Sequence, residues 1–559
     1  MDGIPGEGAF SNSPRHDKTE RPFGEHLNGQ WAVPKHVNGT EINSDHAYRA
    51  YERRPQNYDA IIRRSAALYP DREAVICGER RVTWAAFDGM IQRTAYGYID
   101  AGVKPQDRIA VMLDNRLEYL VAMLAAIRAG AIAIPLGTRL GSMDVEHVLK
   151  DAKPNLAVTA LQWAEKFETN QRPECVYLVD ATDNATAHFS SLQEGKKCDL
   201  PTLNCDDVAV IVYTSGTTGK PKGACLTHTN FVHTCLHYLY ALAIEQPLKS
   251  LLVVPGTHIA GFGPLVSVTL ASGGTVVLAR EFKPLDTLEL IVREQVSYAV
   301  LVPAMYQLLA MKAPVENYDL SNWVYGVYGG AIMPPATIER FRQVAPGLRM
   351  INAYGATETC AVCTIMPPEL TSSAPASVGL ALECDDIKIV GEDGNPVPIG
   401  ETGELWIKGP NVSPGYWQNP EATSREFVNG YWKSGDVGHK DDKGLIYVSD
   451  RLKDMINRGG FKVFSAEVEN ALMSHVDIED CAVIGVPDPV LGEKTYAKIT
   501  TNNPNLSSEE VFEYLSAKIA DYKIPDFWSI GVDPIPRNQN GKIQKAIVRE
   551  VAMGLFLKK

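Results

Sequence analysis

The stretch YTSGTTGKPKG at residues 213–223 follows directly on the apolar run VAVIV at residues 208–212. It holds three glycines, four Ser/Thr hydroxyls and two lysines within eleven residues. Glycine lets backbone N–H groups approach an anion closely, hydroxyls add donors, and ammonium groups neutralise phosphate charge. The pattern therefore predicts a buried strand that opens into a phosphate-binding loop.

The same stretch does not satisfy the P-loop motif of ATPases. That motif requires a Ser or Thr after its Gly-Lys pair, because the hydroxyl reaches magnesium. Here Gly219 and Lys220 are followed by Pro221, which has neither a hydroxyl nor a free backbone N–H. Gly/Ser/Thr-rich segments also serve as flexible linkers, but a linker fits poorly directly after a buried strand.

Length and composition set the protein class. The 559 residues are 45% hydrophobic and 22% charged, which predicts a soluble globular chain of several domains. The net charge of −13 argues against non-specific nucleic-acid binding, which needs a basic face. The first 20 residues lack an apolar signal region, and we expect no membrane span and a cytoplasmic location. Of ten cysteines, Cys360 and Cys363 form one close pair, whose role stays open.

From residue 58 onward, helix and strand patterns alternate along the chain. Helical periodicity at residues 58–69 is followed by apolar runs such as EAVICG, RIAVML and AIAIPL. The alternation resumes after the quoted loop with SLLVVP, GTVVLA, YAVLVP and WVYGVYGG. Such alternation is typical of parallel sheets that are covered by helices on both faces.

Two later changes in pattern divide the chain. Residues 375–448 carry short strand patterns with turn sequences such as EDGNP, and a compact mixed pattern follows DRLKD at residues 450–454. The predicted fold class is α/β: a large N-terminal domain of two doubly wound sheets plus a small β-barrel, and a small mobile α+β C-terminal domain. The predicted divisions are an extended or disordered arm at 1–56, the large N-terminal domain at 57–449, a charged joint at 450–454 and the small C-terminal domain at 455–559.

Two acids and a lysine lie where chemistry is expected. Glu358 ends a strand and glycine turn in INAYGATET, and a carboxylate near a phosphate loop suits Mg²⁺, which takes hard oxygen ligands. Asp436 lies in the turn-like YWKSGDVG, where an acid can accept both hydroxyls of a ribose. Lys542 follows the hairpin-turn pair Asn540-Gly541. Taken singly, they also fit a helix start, a turn aspartate and a solvated lysine.

Together these stretches resemble the adenylate-forming superfamily, which includes acyl-CoA synthetases, adenylation domains of non-ribosomal peptide synthetases and firefly luciferase. The resemblance covers the chain from about residue 57 to its end. It rests on YTSGTTGKPKG, YGATET, YWKSGD, DRLKDMI with GGFKVFSAEVE, and PRNQNGK, in family order and spacing. It implies an AMP-forming acid–thiol ligase that makes an acyl-adenylate, passes the acyl group to coenzyme A, and releases AMP and pyrophosphate.

The resemblance also implies individual roles. Lys542 would bind the substrate carboxylate and the α-phosphate, Glu358 would hold Mg²⁺, His258 would lie at the edge of the acyl pocket, and Lys453 would be the hinge. Gly459 and Gly460 would lie along the path of coenzyme A. The residues that would bind ATP and AMP are Thr214, Ser215, Gly216, Thr217, Thr218, Gly219, Lys222, Gly329, Gly330, Ala331, Asn352, Ala353, Tyr354, Gly355, Thr357, Asp436 and Arg451.

The acyl pocket is expected around VPGTHIAGFGP at residues 254–264. Relatives that activate amino acids carry an Asp there for the α-ammonium group, and this segment has no acid. We therefore expect an aryl or medium aliphatic acid without an α-amine. The residues expected to line the pocket are His258, Ile259, Ala260, Phe262, Met305 and Tyr354.

Coenzyme A is the expected acceptor, because no carrier domain is attached. Two alternatives stay open: a stand-alone ligase that loads a carrier protein, and a catalytically silent regulator that binds nucleotide. The presence of Lys542, Glu358 and Asp436 together argues against the silent form. A homodimer also stays open.

Overall fold

Two large, mostly parallel sheets form the body of the protein. The computed structural model describes residues 40–43, 48–181, 187–214, 221–331, 333–537 and 543–556. The six-stranded sheet has the order Lys222–Thr227, Val208–Thr214, Ile132–Pro135, Arg108–Met112, Leu156–Thr159 and Cys175–Leu178. The nine-stranded sheet has the order Leu380–Ala381, Thr364–Ile365, Arg349–Tyr354, Tyr325–Tyr328, Tyr298–Leu301, Lys249–Leu252, Thr275–Leu278, Glu73–Cys77 and Arg80–Thr83.

Helices cover these sheets, and the largest hydrophobic core joins the two. The helices of this part are Tyr58–Leu68, Trp84–Asp100, Leu117–Arg128, Ser142–Ala152, Phe189–Leu192, His228–Ala241, Val268–Ala271, Pro284–Arg293, Pro303–Lys312 and Pro335–Val344. A π-helical segment spans Gly261–Ser267, and short 3₁₀ turns span Leu161–Phe167, Val315–Asn317, Thr357–Thr359 and Pro368–Leu370. No helix in the described part of the chain is long and apolar enough to cross a membrane.

A smaller antiparallel sheet follows, where the barrel was predicted. Its strands are Asp386–Val390, Gly403–Lys408, Tyr431–Lys440, Phe427–Val428 and Ile446–Arg451, with the helix Pro420–Glu426 beside them. Before the large sheets, Thr40–Asn43 pairs with Tyr48–Tyr51, and the Tyr51 ring is buried. This part of the predicted arm is therefore extended and packed against the body.

The C-terminal unit is α+β, as predicted. Its sheet contains Phe461–Val463, Ile456–Arg458, Gly492–Thr500, Asp480–Asp488 and Phe527–Gly531, and its helices are Ser465–Met473, Ser508–Ser516 and Lys545–Phe556, with a 3₁₀ turn at Asp521–Lys523. Asp450, in the last antiparallel strand, accepts hydrogen bonds from the backbone N–H and, at 2.6 Å, the hydroxyl of Ser465. A carboxylate of one unit thus caps the first helix of the next.

A buried ion cluster ties together helices at the start of the chain. The Arg128 side chain is fully buried, and its Nε donates to Asp59 Oδ1 at 2.8 Å. Its Nη2 lies 2.7 Å from Asp88 Oδ1. All residues of the helix Leu117–Arg128 except Glu118 are buried, so the Arg128 charge is offset by these two carboxylates rather than by water.

We expect Arg128→Met to lower the free energy of unfolding by about 3–5 kcal/mol, because it removes the fully buried cation between Asp59 and Asp88 and leaves Asp59 only the half-exposed Arg63. Urea denaturation measures the change. Arg63→Met is the matched control: Arg63 also binds Asp59, at 2.6 Å, but 46% of its side chain is exposed. We expect that variant to lose about 0–1 kcal/mol, and equal losses in both variants would contradict the role of burial.

Buried histidines on the helix His228–Ala241 make stability depend on pH. The His228 Nδ1 accepts a hydrogen bond from the Tyr58 backbone N–H at 3.3 Å. Burial lowers the pKa of His228 to about 4 and that of His233 to about 3. Because the unfolded chain takes up these protons near pH 6.5 and the folded chain does not, stability is full above pH 6.5 and falls on acidification toward pH 4.

We expect the thermal midpoint of His228→Asn to fall less between pH 7.5 and pH 5 than that of the wild-type chain. Asn retains an acceptor for the Tyr58 N–H and cannot titrate, which removes a penalty of about 2 kcal/mol at pH 5. Calorimetry at both pH values measures the difference. Identical pH dependence in the two proteins would show that His228 titrates normally in the fold.

Candidate active site

The candidate phosphate loop follows the first of two antiparallel strands in the chain and precedes the second. The strands Val208–Thr214 and Lys222–Thr227 pair so that Thr214 lies opposite Lys222. The Thr214 hydroxyl donates to the Lys222 carbonyl at 3.4 Å. The predicted loop residues Ser215, Gly216, Thr217, Thr218 and Gly219 lie outside the described residues, as does Lys542. The structure thus fixes the two residues that flank the loop.

A polar cluster joins the end of the nine-stranded sheet to the antiparallel sheet. The Tyr354 hydroxyl donates to Asp436 Oδ2 at 2.5 Å. Arg451 lies opposite Asp436 on the next strand, and its Nε lies 2.6 Å from Asp436 Oδ1. Burial, and then the negative charge of Asp436, raise the pKa of Tyr354, so its hydroxyl keeps its proton. The structure brings together three of the predicted nucleotide residues.

The other predicted nucleotide residues surround this end of the sheet. A Cβ atom on Gly329 would lie 2.3 Å from the Ala353 carbonyl, so glycine is required for that approach. Gly330 has φ +78°, a left-handed conformation that favours glycine, and Ala331 beside it is exposed. The Asn352 amide donates to the Ser377 carbonyl at 3.0 Å.

Glu358 lies in a 3₁₀ turn, Thr357–Thr359, directly after the strand Arg349–Tyr354 and Gly355. The residue is 8% exposed, and its Oε1 lies 2.8 Å from the Tyr416 hydroxyl. Burial raises the pKa of Glu358, while the Tyr416 hydrogen bond and the charges of Lys222 and Arg451 lower it in part. The Arg451 charge also lowers the pKa of Tyr354, so one cation acts on both the acidic turn and the polar cluster.

Two residues that the sequence analysis missed connect Glu358 to the hairpin. The Tyr416 hydroxyl lies 2.7 Å from Glu426 Oε2 as well as near Glu358, and its one proton can be donated to only one of them. Lys222 Nζ donates to both oxygens of Glu426 at 2.8 Å and lies 4.2 Å from the centre of the Tyr416 ring. Tyr416 follows the glycine of PGYW, and Glu426 ends a short helix. Neither position has a local sequence pattern that identifies it.

A divalent cation fits this donor set. The carboxylates of Glu358 and Glu426 approach the same hydroxyl beside the end of the hairpin, where the phosphates are expected. Mg²⁺ takes hard oxygen ligands from one or two carboxylates plus substrate phosphates. Glu358 is the residue that would hold it, since Glu426 is already bound by Lys222 and Arg425.

The predicted acyl segment packs against the acidic turn. A methyl group on Gly263 would lie 3.5 Å from Ile259 Cδ1 and 3.6 Å from Ala361 Cβ, so the two segments are adjacent. His258 and Met305 are half-buried and Ala260 is exposed. The Phe262 ring is 2% exposed and packs in the core against the rings of Phe231, Tyr58 and Tyr119. Phe262 therefore backs the segment from the core side.

The predicted hinge and coenzyme A residues lie in the C-terminal part. Lys453 is exposed, two residues beyond the strand Ile446–Arg451. Gly459 and Gly460 form the turn between Ile456–Arg458 and Phe461–Val463, with φ values of +60° and +92° that favour glycine. Both glycines are exposed.

The cysteine pair takes no part in this arrangement. Cys360 and Cys363 are buried and free, and Cys363 Sγ donates to the Tyr354 carbonyl at 3.4 Å. Burial raises the pKa of Cys360 to about 12 and that of Cys363 well above its ordinary value. Burial therefore favours the protonated form of both thiols at neutral pH.

Comparison with known proteins agrees with this geometry. Residues 62–417 match the family model described as AMP-binding enzyme, and residues 467–542 match AMP-binding enzyme C-terminal domain. The chain belongs to the AMP-binding enzyme family. The expected adenylate-forming fold and the AMP-forming acid–thiol ligase class are thereby confirmed.

Relatives match the chain over nearly their full length. A feruloyl-CoA synthase from Amycolatopsis sp is 35% identical over 87% of this chain and 97% of its own. The long-chain-fatty-acid–CoA ligase FadD13 of Mycobacterium tuberculosis is 30% identical over 89% of this chain and 98% of its own. The solved o-succinylbenzoate CoA synthetase MenE of Bacillus subtilis, in complex with its acyl-adenylate intermediate, is 29% identical with a TM-score of 0.80, covering 88% and 97% of the two chains.

We expect Asp436→Asn to weaken AMP binding about tenfold, because the neutral amide no longer offers two anionic oxygens to Arg451 and a ribose. Isothermal titration calorimetry with AMP measures the change. Asp441→Asn is the control, since Asp441 lies beyond the same strand and accepts the backbone N–H of Lys443 and Leu445. An equal loss of AMP affinity in both variants would contradict the placement of Asp436 in the nucleotide site.

Proposed function

We propose that the chain activates an aryl carboxylic acid without an α-amine as its acyl-adenylate and transfers the acyl group to coenzyme A. The observation that supports this most is the placement of the Tyr354, Asp436 and Arg451 cluster beside Glu358, with Arg451 acting on the pKa of both Tyr354 and Glu358. This arrangement offers a ribose acceptor and a buried carboxylate near the expected phosphates.

The chemistry explains why these groups are needed. A carboxylate is a poor acyl donor, because its leaving group would be oxide. Attack of the carboxylate oxygen on the α-phosphorus of ATP expels pyrophosphate and gives a mixed anhydride from which AMP can leave, but two anions must meet in that step. Mg²⁺, when bound, supplies positive charge to the phosphate oxygens. We assign to Lys542 the role of holding the substrate carboxylate against the α-phosphate.

The remaining residues bind and orient the nucleotide. Asp436 would accept the ribose hydroxyls while Arg451 compensates its charge. Tyr354 would provide an aromatic wall that separates the adenine from the acyl group. Thr214 and Lys222 would anchor the ends of the phosphate loop, and the backbone at Gly329 and Gly330 would let the adenine approach closely.

The substrate class rests on the acyl segment and on relatives. Residues 254–264 contain no carboxylate to pair with an α-ammonium group. The names feruloyl-CoA synthase and o-succinylbenzoate CoA synthetase both specify aryl acids, whereas FadD13 is named for long-chain fatty acids. The higher identity to the feruloyl-CoA synthase favours the aryl class over the aliphatic one.

The acceptor step would use the C-terminal unit. Rotation about Lys453, with the large domain at 57–449 and the small one at 455–559, would withdraw Lys542 and bring Gly459 and Gly460 alongside the thiol substrate. CoA-ligase names of the relatives support coenzyme A as the acceptor. Transfer to a carrier protein is the alternative outcome of the experiment below.

We expect purified protein to release pyrophosphate from MgATP with hydroxycinnamic acids, and to form the acyl-CoA only when coenzyme A is added. The panel includes benzoic, medium-chain and long-chain acids, and products are identified by mass spectrometry. Stable acyl-adenylate without transfer to coenzyme A would move the acceptor to a carrier protein. Absence of pyrophosphate release with every acid would favour a silent nucleotide-binding regulator.

We expect Lys542→Ala to slow acyl-adenylate formation at least a hundredfold, because removal of a contact to transition-state charge costs about 3 kcal/mol. The transfer of a preformed acyl-adenylate to coenzyme A should be much less affected. Lys518→Ala, an exposed lysine of the same unit, is the control. Equal slowing of both half-reactions would contradict the assigned role of Lys542.

A further inference from the structure

The turn at residues 359–362, directly after Glu358, has a strained backbone. Cys360 and Ala361 are consecutive non-glycine residues with φ values of 49° and 85°. Residues in such conformations cost on the order of 1–3 kcal/mol each and persist only where the surroundings over-determine them. This turn therefore needs contacts from outside to keep its shape.

Two buried side chains supply those contacts. The Thr234 hydroxyl donates to the Cys360 carbonyl at 3.1 Å. The Asn411 amide donates to the Val362 carbonyl and, at 3.4 Å, to the Thr359 carbonyl. Asn411 is fully buried, and two residues further on the Ser413 backbone N–H donates to the Glu358 carbonyl at 2.7 Å. Asn411 and Ser413 thus hold the backbone of this turn from the Glu358 carbonyl to the Val362 carbonyl.

Asp385 fixes which way the Asn411 amide points. Asn411 Nδ2 also lies 3.2 Å from Asp385 Oδ2, so it faces three acceptors and no donor. The opposite orientation would place the amide oxygen against those acceptors, which is unfavourable. Asp385 comes so close because residue 409 is glycine: a Cβ there would lie 1.9 Å from Asp385 Oδ1.

On its other side, Asp385 lies near a buried histidine of the helix His228–Ala241. His237 Nε2 lies 3.7 Å from Asp385 Oδ1, with both side chains fully buried. The Tyr51 hydroxyl lies 3.0 Å from the other ring nitrogen of His237. Burial lowers the pKa of His237 well below its ordinary value, so the ring is neutral and lies beside Asp385 without a hydrogen bond to it.

We propose that Asn411, oriented by Asp385, is a positioning residue that holds the 359–362 turn and thereby aims the Glu358 carboxylate at the Mg²⁺ of MgATP. The inference rests on the proposed function, in which Glu358 is the Mg²⁺ ligand. Asn411 acts through backbone carbonyls and touches neither nucleotide nor metal. Its contribution is the geometry of the carboxylate.

The variant Asn411→Asp tests this directly. It keeps the side-chain volume but replaces the amide NH₂ donor with an oxygen, which would face the same three acceptors. Isothermal titration calorimetry gives the ATP dissociation constant with excess Mg²⁺ and with EDTA, without turnover. We expect the value with Mg²⁺ to rise about tenfold, as for other changes that misplace a metal ligand. The value with EDTA should stay within about twofold, because the other nucleotide contacts are retained.

Asp385→Asn is the matched control, since its amide oxygen still accepts from Asn411 at unchanged volume. We expect the ATP dissociation constant of this variant with Mg²⁺ to stay within about threefold of the wild-type value. If Asn411→Asp does not fold, Thr234→Val is the substitute, because it removes the donor to Cys360 with little change of shape. We expect its ATP dissociation constant to rise about threefold with Mg²⁺ and to stay unchanged with EDTA. Thr269→Val removes an equally buried donor, to the Leu265 carbonyl, and should leave the Mg²⁺ dependence unchanged.

The positioning role would be overturned if ATP binding by Asn411→Asp depended on Mg²⁺ as it does in the wild-type chain. Where Asn411→Asp does not fold, the same result in Thr234→Val would overturn it. An equal rise in Thr269→Val would do the same, because the effect would then be general destabilisation. A wild-type chain that binds ATP equally well with Mg²⁺ and with EDTA would instead contradict the proposed role of Glu358. The two failures are therefore distinguishable.

Discussion

The hydrogen bond from Tyr354 to Asp436 links the end of the nine-stranded sheet to the antiparallel sheet that follows it in the chain. Arg451 closes the cluster from the neighbouring strand, so residues from three strands meet at an ion pair between the buried Asp436 and the half-exposed Arg451. Glu358 follows Tyr354 by four residues, and its position therefore depends on the same contact between sheets. The candidate site exists only where these two sheets meet.

Two cations lie near Glu358 although the chain as a whole is strongly acidic. The net charge is −13, yet Lys222 and Arg451 both lower the pKa of the buried Glu358 carboxyl. Lys222 is held by both oxygens of Glu426 and by the face of the Tyr416 ring. Such fixed charges are already oriented toward a bound nucleotide, whereas water molecules would have to reorient before they could stabilise its charge.

The sequence predicted those features that local patterns encode. The strand at the apolar run 208–212, the alternation of helices and parallel strands, and the acid after YGAT all follow from short-range periodicity and turn chemistry. Tyr416, Glu426, Asn411 and Asp385 were not predictable, because each acts on a residue 26 to 204 positions away in the chain. The buried Tyr51 likewise gains its role only from the distant His237. Contacts of that kind leave no signal in a single sequence.

The Asp450 cap on the helix Ser465–Met473 bears on how easily the C-terminal unit can turn. Asp450 precedes Lys453 and Ser465 follows it, so the proposed rotation about Lys453 would separate the two partners. The separation would strip a mostly buried carboxylate of its donors and the helix of its cap, each a penalty of about 1–3 kcal/mol. The Asp450 hydrogen bonds therefore stabilise the present orientation of the C-terminal unit. Binding of the thiol substrate would have to supply the free energy that breaks them.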